Sequence, residues 1–194
     1  MIRRLLLLPA LALCTLAAAA EPWTLDTLMQ RLADRAGGRV NFIERKYIAI
    51  LDEPVVSTGQ MSFTPPGRLE RQTVTPKPET MVLDGDRLSI RREGRELDLR
   101  LRDYPEAAAF IDSIRGTLAG DRQALERRFL LSLGGDATAW WLDLLPRDGK
   151  LAELVLRIHI EGQGGHIRSV EILQGDGDRS VMTLEPADAA QPPA

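Results

Sequence analysis

Hydrophobic positions recur with a helical period near the start of the chain and then change to a strand period. Four apolar side chains are spaced at i, i+3, i+4 and i+7, on one stripe of a helix: Leu25, Leu28, Met29 and Leu32. Thr24 is a suitable N-cap, and the pattern predicts a helix to about Arg35, where Gly37-Gly38 follows. From residue 39 the pattern alternates, which predicts strands over residues 39–51 and 55–63.

The rest of the chain predicts strands around a helical insert. Alternation indicates strands over 68–75 and 96–101, and a tight hairpin over 81–90 at Asp84-Gly85, a pair that tolerates the required positive φ. Helical spacing predicts one helix over 104–118 and a short one over 121–127. Five further strands are predicted over 129–133, 139–145, 154–161, 167–173 and 180–184. This order is typical of an α+β protein whose antiparallel sheet wraps around its helices.

The first twenty residues have the pattern of a secretory signal peptide. Arg3 and Arg4 precede an apolar run from Leu5 to Leu16, and small residues occupy positions 17–20. The run is too short for a stable membrane span. We therefore expect cleavage after Ala20, a single domain over 21–185 and a disordered Ala- and Pro-rich tail over 186–194.

Cleavage changes the composition in two ways. Cys14 is lost, so the remaining 174 residues have no cysteine for a disulfide, a nucleophilic thiol or a thiolate metal site. Arg3 and Arg4 are lost too, which takes the net charge from −3 to −5. An acidic balance argues against nucleic acid as a partner. We expect a protein that is located in the periplasm and is a monomer.

Candidate catalytic and metal-binding residues are few. His159 and His166 fall on consecutive predicted strands and could approach each other, but a metal pair would need a third ligand. Asp176 and Asp178 resemble part of a calcium loop without its later glycine and glutamate, so a hairpin turn is favoured. No serine has a nucleophile-elbow context and no phosphate-binding loop is present. We expect no enzyme activity, no metal and no cofactor.

The apolar stripes of the two helical regions need a cover, which a curved sheet can provide. Pattern alone favours an ordinary packed core over a ligand cavity, and both remain open. Trp140 and Trp141 are adjacent on a predicted strand, so they point to opposite faces and one should be exposed.

Four segments, in order, resemble the periplasmic outer-membrane lipoprotein carrier family, LolA. They are Phe-Ile-Glu-Arg-Lys at 42–46, the glycine-led strand and proline turn at 59–69, the Pro-x-x-Glu hairpin at 76–88, and Leu-Asp-Leu-Leu-Pro-Arg at 142–147. The resemblance covers about residues 24 to 185. It implies an unclosed antiparallel β-barrel of ten or eleven strands, covering the N-terminal helix and the mid-chain helical insert.

The resemblance also implies a function: shielding acyl chains of a lipoprotein, or of another lipid or glycolipid, between an inner-membrane exporter and an outer-membrane receptor. If Leu69, Arg71 and Thr73 face inward, the cavity has a polar patch. The residues expected to line it are Leu25, Leu28, Met29, Leu32, Phe42, Met61, Phe63, Leu69, Arg71, Met81, Leu83, Phe110, Ile114 and Leu118. The alternative is a LolA-like module that docks or senses a partner protein without carrying lipid.

Overall fold

The computed structural model describes residues 22–35 and 37–187, without the side chains of residues 105–107, 109, 110 and 113. The predicted signal peptide and most of the predicted tail lie outside the described residues. The helices are α1 Leu25–Asp34, α2 Pro105–Ala119, α3 Arg122–Glu126 and α4 Gly149–Leu154. The strands are β1 Gly38–Tyr47, β2 Val55–Thr64, β3 Arg68–Thr75, β4 Glu79–Asp84, β5 Arg87–Arg92, β6 Arg95–Arg100, β7 Phe129–Gly135, β8 Trp140–Pro146, β9 Val155–Gln163, β10 His166–Gln174 and β11 Arg179–Pro186.

Local sequence accounts for the helix ends. The Thr24 hydroxyl accepts a hydrogen bond from the Thr27 amide, which caps α1 as predicted. α2 ends at Gly120, whose φ of 65° is the left-handed conformation that suits glycine. Asp148 caps α4, a helix that the hydrophobic pattern did not indicate. Among the described residues, no helix has the length and apolar character needed to cross a bilayer.

All eleven strands form one antiparallel sheet, which confirms the predicted α+β class with an unclosed barrel. The strand order is β6-β5-β4-β3-β2-β1-β11-β10-β9-β8-β7. The first strand, β1, therefore pairs with the last, β11. β6 and β7 are the free edges of the sheet. The Asp84-Gly85 hairpin forms as predicted, with Gly85 at a φ of 57°.

The helices lie against one face of this curved sheet and create two apolar cores. The larger core joins α1 to β7, β8 and β9, with Leu28, Phe129 and Leu142 among its fully buried members. The smaller core joins Leu83 and Leu88 to the start of α2. The space between the two cores contains the candidate site.

One strand end lies four residues from its predicted position, whereas the other ends lie within about two. β1 ends at Tyr47 instead of Leu51, and a loop follows in which Ile50 is 90% exposed. The Asp178 carboxylate accepts a hydrogen bond from the Ala49 amide at 3.1 Å and lies 3.3 Å from the Lys46 ammonium. This carboxylate holds the first residues of the loop against the β10–β11 turn. Ala49 donates to a side chain there and not to the backbone of a neighbouring strand, so β1 ends before it.

Candidate functional site

A cavity of about 580 Å³ lies between the C-terminal end of α1, the end of α2 and the concave face of the sheet. This volume is within the range of about 300–1,000 Å³ that small-ligand sites usually have. Its apolar lining comes from seven elements: Leu32, Val40, Met61, Phe63, Leu69, Leu118, Ile167 and Leu184. The cavity can therefore hold an apolar group of modest size away from water.

Strand register explains why these side chains converge. Leu69 lies directly opposite Phe63 and Met61 directly opposite Val40, so alternate residues of β1, β2 and β3 point to one face. The same face continues across the β1–β11 pair, where Leu184 is opposite Phe42. The helical side of the cavity is formed by Leu32 of α1 and Leu118 of α2.

Polar residues complete the lining. They are Asp34 and Arg35 at the end of α1, Arg39 at the start of β1, Ser62 of β2, and His166 and Arg168 at the start of β10. The arginines are exposed, whereas His166 is half-buried. Burial lowers the pKa of His166 below its usual value, and the nearby charges of Arg35 and Arg168 lower it further.

The structure distributes the predicted site residues between the cavity and the cores. Leu32, Met61, Phe63, Leu69 and Leu118 line the cavity. Five others lie in or beside the two cores: Leu25, Leu28, Met29, Met81 and Leu83. Phe42 is buried outside both cores, and Ile114 is half-buried. The Phe110 side chain lies outside the described residues. The assignment of the full set to a lipid site stays a prediction.

Arg71 points to the inner side of the sheet, but its guanidinium is bound to protein. It forms an ion pair with Glu44 and lies 4.4 Å from the centroid of the Phe42 ring. Glu44 also accepts a hydrogen bond of 2.6 Å from the Ser180 hydroxyl. A polar patch therefore exists on this face, one pleat away from the cavity lining.

The hydrophobic pattern did not indicate several residues of the cavity lining. Val40 is two residues before Phe42 on β1, and Leu184 lies opposite Phe42 on β11. The alternation of inward-facing residues could therefore have predicted both. Arg35, Arg39 and Arg168 had no such signal, because three separate elements bring them together. Their convergence requires α1 to end where β1 and β10 begin.

The histidines and the aspartate pair show no metal-site geometry. His159 lies opposite Glu171 and His166 opposite Gln163, so the strands do not bring the two rings together. The Nδ1 atom of His159 is 2.6 Å from the Asp143 carboxylate, on the outer face of the sheet. Within the part of the chain that the structure describes, no group of three metal-binding side chains occurs.

α2 covers the smaller core and is tied to two turns of the sheet. The Nη1 atom of Arg115 donates to the Gly85 carbonyl at 3.0 Å. The same guanidinium lies against Gly67, where a Cβ atom would be only 2.5 Å from Nη2. A side chain at position 67 would displace this contact, so glycine lets Arg115 join the helix to the β2–β3 turn.

A family model described as "Outer membrane lipoprotein carrier protein LolA-like" matches residues 17–193. The chain belongs to this family. A relative, the outer-membrane lipoprotein carrier protein of Dechloromonas aromatica (strain RCB), is 26% identical over 131 residues. That match covers 67% of the present chain and 60% of the relative, so the chain spans well under two thirds of the relative's length.

Comparison with solved structures gives weaker similarities. A LolA superfamily protein from Nitrosomonas europaea has a TM-score of 0.41 at 10% identity, over 86% of this chain and 95% of that one. A DUF1329 family protein from Desulfovibrio piger has a TM-score of 0.47 at 9% identity, over 87% and 92%. The Pseudomonas aeruginosa MucA/MucB complex has a TM-score of 0.42 at 13% identity, over 86% and 59%. Family membership therefore rests on the family model.

Proposed function

We propose that this LolA-like protein is a periplasmic carrier that shields acyl chains of a lipoprotein or another lipid during transfer towards the outer membrane. The observation that carries the proposal is the cavity of about 580 Å³ between the helices and the unclosed sheet. Each methylene group kept from water contributes about 0.8 kcal/mol, so an apolar cavity can hold a chain in an aqueous compartment. No catalytic group is needed for this role.

In this proposal, the signal peptide over residues 1–20 directs export, and the domain over residues 21–185 carries the cargo. An inner-membrane exporter supplies the lipid and an outer-membrane receptor accepts it. Release follows from a receptor that binds the open form more tightly than the closed form, because a ligand shifts an equilibrium only through differential affinity. α2 is the element we assign as the lid, since it packs on the inner face and Arg115 donates a hydrogen bond from it to the β4–β5 turn.

The lining offers a direct test of the cavity. A Leu118→Trp substitution places a larger side chain into space between α2 and the sheet. The matched control is Leu130→Trp, which makes the same change on an exposed residue of edge strand β7. We expect Leu118→Trp to weaken binding of 1-oleoylglycerol by at least about tenfold, whereas Leu130→Trp leaves it unchanged.

Thermal unfolding of both variants separates blocked binding from misfolding. Binding by a folded Leu118→Trp protein at the wild-type affinity would show that the acyl chain does not enter this cavity. Loss of binding in both variants would show that the effect is not specific to the inner face. Either result would contradict the assignment of the lining.

The outer face favours a second candidate, a docking module for a partner protein. Trp140 is buried, as one of the pair was expected to be, and Trp141 is 38% exposed. The Trp141 ring stacks on His159 with centroids 6.2 Å apart, and exposed Leu130 and Leu145 lie opposite each other on β7 and β8. A protein that takes up no offered lipid would favour this candidate over the carrier.

A further inference from the structure

The cavity changes character between its interior and its solvent side. The interior is formed by half-buried and buried apolar side chains, and the exposed rim by Arg35, Arg39 and Arg168. We infer that the cavity binds an acyl lipid with an anionic headgroup, with its chain among the apolar residues and its headgroup at these three arginines. The inference rests on the proposed function and names the chemical class of its ligand.

The charges at the rim are not neutralised by the protein. Among the side chains that the structure describes, no carboxylate lies within ion-pair distance of Arg35, Arg39 or Arg168. Asp34 is the carboxylate in the lining; it accepts a hydrogen bond of 2.7 Å from the Gln30 amide, and its single negative charge is outnumbered by the three arginines. The rim is thus positive in a chain whose net charge is −3.

The positions of the three arginines concentrate this charge at one opening. They belong to the end of α1, the start of β1 and the start of β10, and all three line the cavity. His166 lies among them, and the effect of Arg35 and Arg168 on its pKa indicates that their charges act on this ring. A phosphate or carboxylate placed here would be attracted by all three guanidinium groups.

A purely apolar ligand would use only the interior of the cavity, and a small anion would use only the basic rim. A neutral chain would leave the arginines without a partner, and a free inorganic anion would leave the apolar lining empty. An amphiphile with one anionic end matches both the apolar interior and the basic rim. The matched probes are 1-oleoylglycerol and 1-oleoyl lysophosphatidic acid, which share a chain and differ by one phosphate.

The experiment measures affinity for both probes by titration calorimetry, below their critical micelle concentrations, with residues 21–194. The test variant is Arg39→Gln/Arg168→Gln, and the control is Arg45→Gln/Arg95→Gln, which removes the same charge from exposed residues away from the cavity. We expect the phosphate-bearing probe to bind about tenfold more tightly to the wild type. The test variant should lose this preference, and the control should keep both the preference and the wild-type affinity for 1-oleoylglycerol.

A second readout uses the wild-type protein alone. The phosphate-bearing probe should raise the pKa of His166 in an NMR titration, because an anion replaces part of the repulsion from Arg35 and Arg168, while 1-oleoylglycerol should not. Equal affinities for the two probes would overturn the inference and leave the proposed carrier function standing. Binding of neither probe would overturn both. Equally tight binding of inorganic phosphate at the rim would replace the lipid headgroup with a free anion.

Discussion

Gly59 of β2 lies against the β3 backbone and the buried Phe42 ring. A Cβ atom at this position would be 1.9 Å from the Gln72 carbonyl oxygen and 2.9 Å from the Phe42 Cε1 atom. The Phe42 side chain is 1% exposed, and the Arg71 guanidinium covers its other side. A Gly59→Ala substitution therefore has no flexible neighbour to displace, and the β3 backbone must move.

The expected cost follows from this crowding. Adding a methyl group to a tightly packed interior typically lowers the free energy of unfolding by about 1–3 kcal/mol. A methyl group placed between backbone and a buried ring should cost close to the upper value. For a domain of this size, each kcal/mol lowers the melting temperature by about 2–4 °C, so Gly59→Ala should lower it by about 6–12 °C. Differential scanning calorimetry measures this change directly.

The matched control makes the same substitution where the structure leaves room. Gly149 is the first residue of α4, and a Cβ atom there would have no neighbour within 4 Å. Gly149→Ala should leave the melting temperature unchanged or raise it, because alanine reduces the freedom of the unfolded chain by up to about 1 kcal/mol. A Gly59→Ala protein that melts within about 2 °C of the wild type would refute the close approach of β2 and β3.

Three further predictions concern charged side chains. Because the pKa of His166 is lowered in the folded protein, the unfolded chain binds this proton more readily, and the free energy of unfolding should fall as pH drops below about 6.5. Urea titrations should show a smaller loss for His166→Asn. Asp178→Ala should cost about 1–3 kcal/mol by freeing the Ala49 amide, and calcium should not raise the melting temperature of the wild type. Arg71→Met should lower the free energy of unfolding by about 1–3 kcal/mol, because it leaves the partly buried Glu44 carboxylate without its ion-pair partner. Arg71→Met/Glu44→Gln should lower it by less, and equal losses in the two variants would contradict this.

Much of the fold could be predicted because its signals are local. The α1 stripe, its Thr24 cap and the Asp84-Gly85 turn each depend on residues within one turn or hairpin, and the structure contains all three. The alternation of each strand also fixed which residues share a face. The missed helix α4 contains only six residues between two strands, too short for a periodic pattern to develop.

The site was harder to predict because it depends on distant pairings. Residues such as Met61 and Leu69 could be assigned to the inner face from alternation alone, and the structure places them in the lining. The basic rim depends on the meeting of α1, β1 and β10, which no local pattern encodes. The ion pair of Arg71 with Glu44 similarly depends on strand register across β1, β2 and β3.

Native mass spectrometry of the protein purified from its own periplasm without detergent tests the carrier proposal most directly. The proposal predicts a population with the added mass of a lipid or an acylated protein, and the loss of this population in the Leu118→Trp variant. The Leu130→Trp variant should retain it. A wild-type protein that shows only its bare mass and takes up no offered acyl lipid would contradict the proposal.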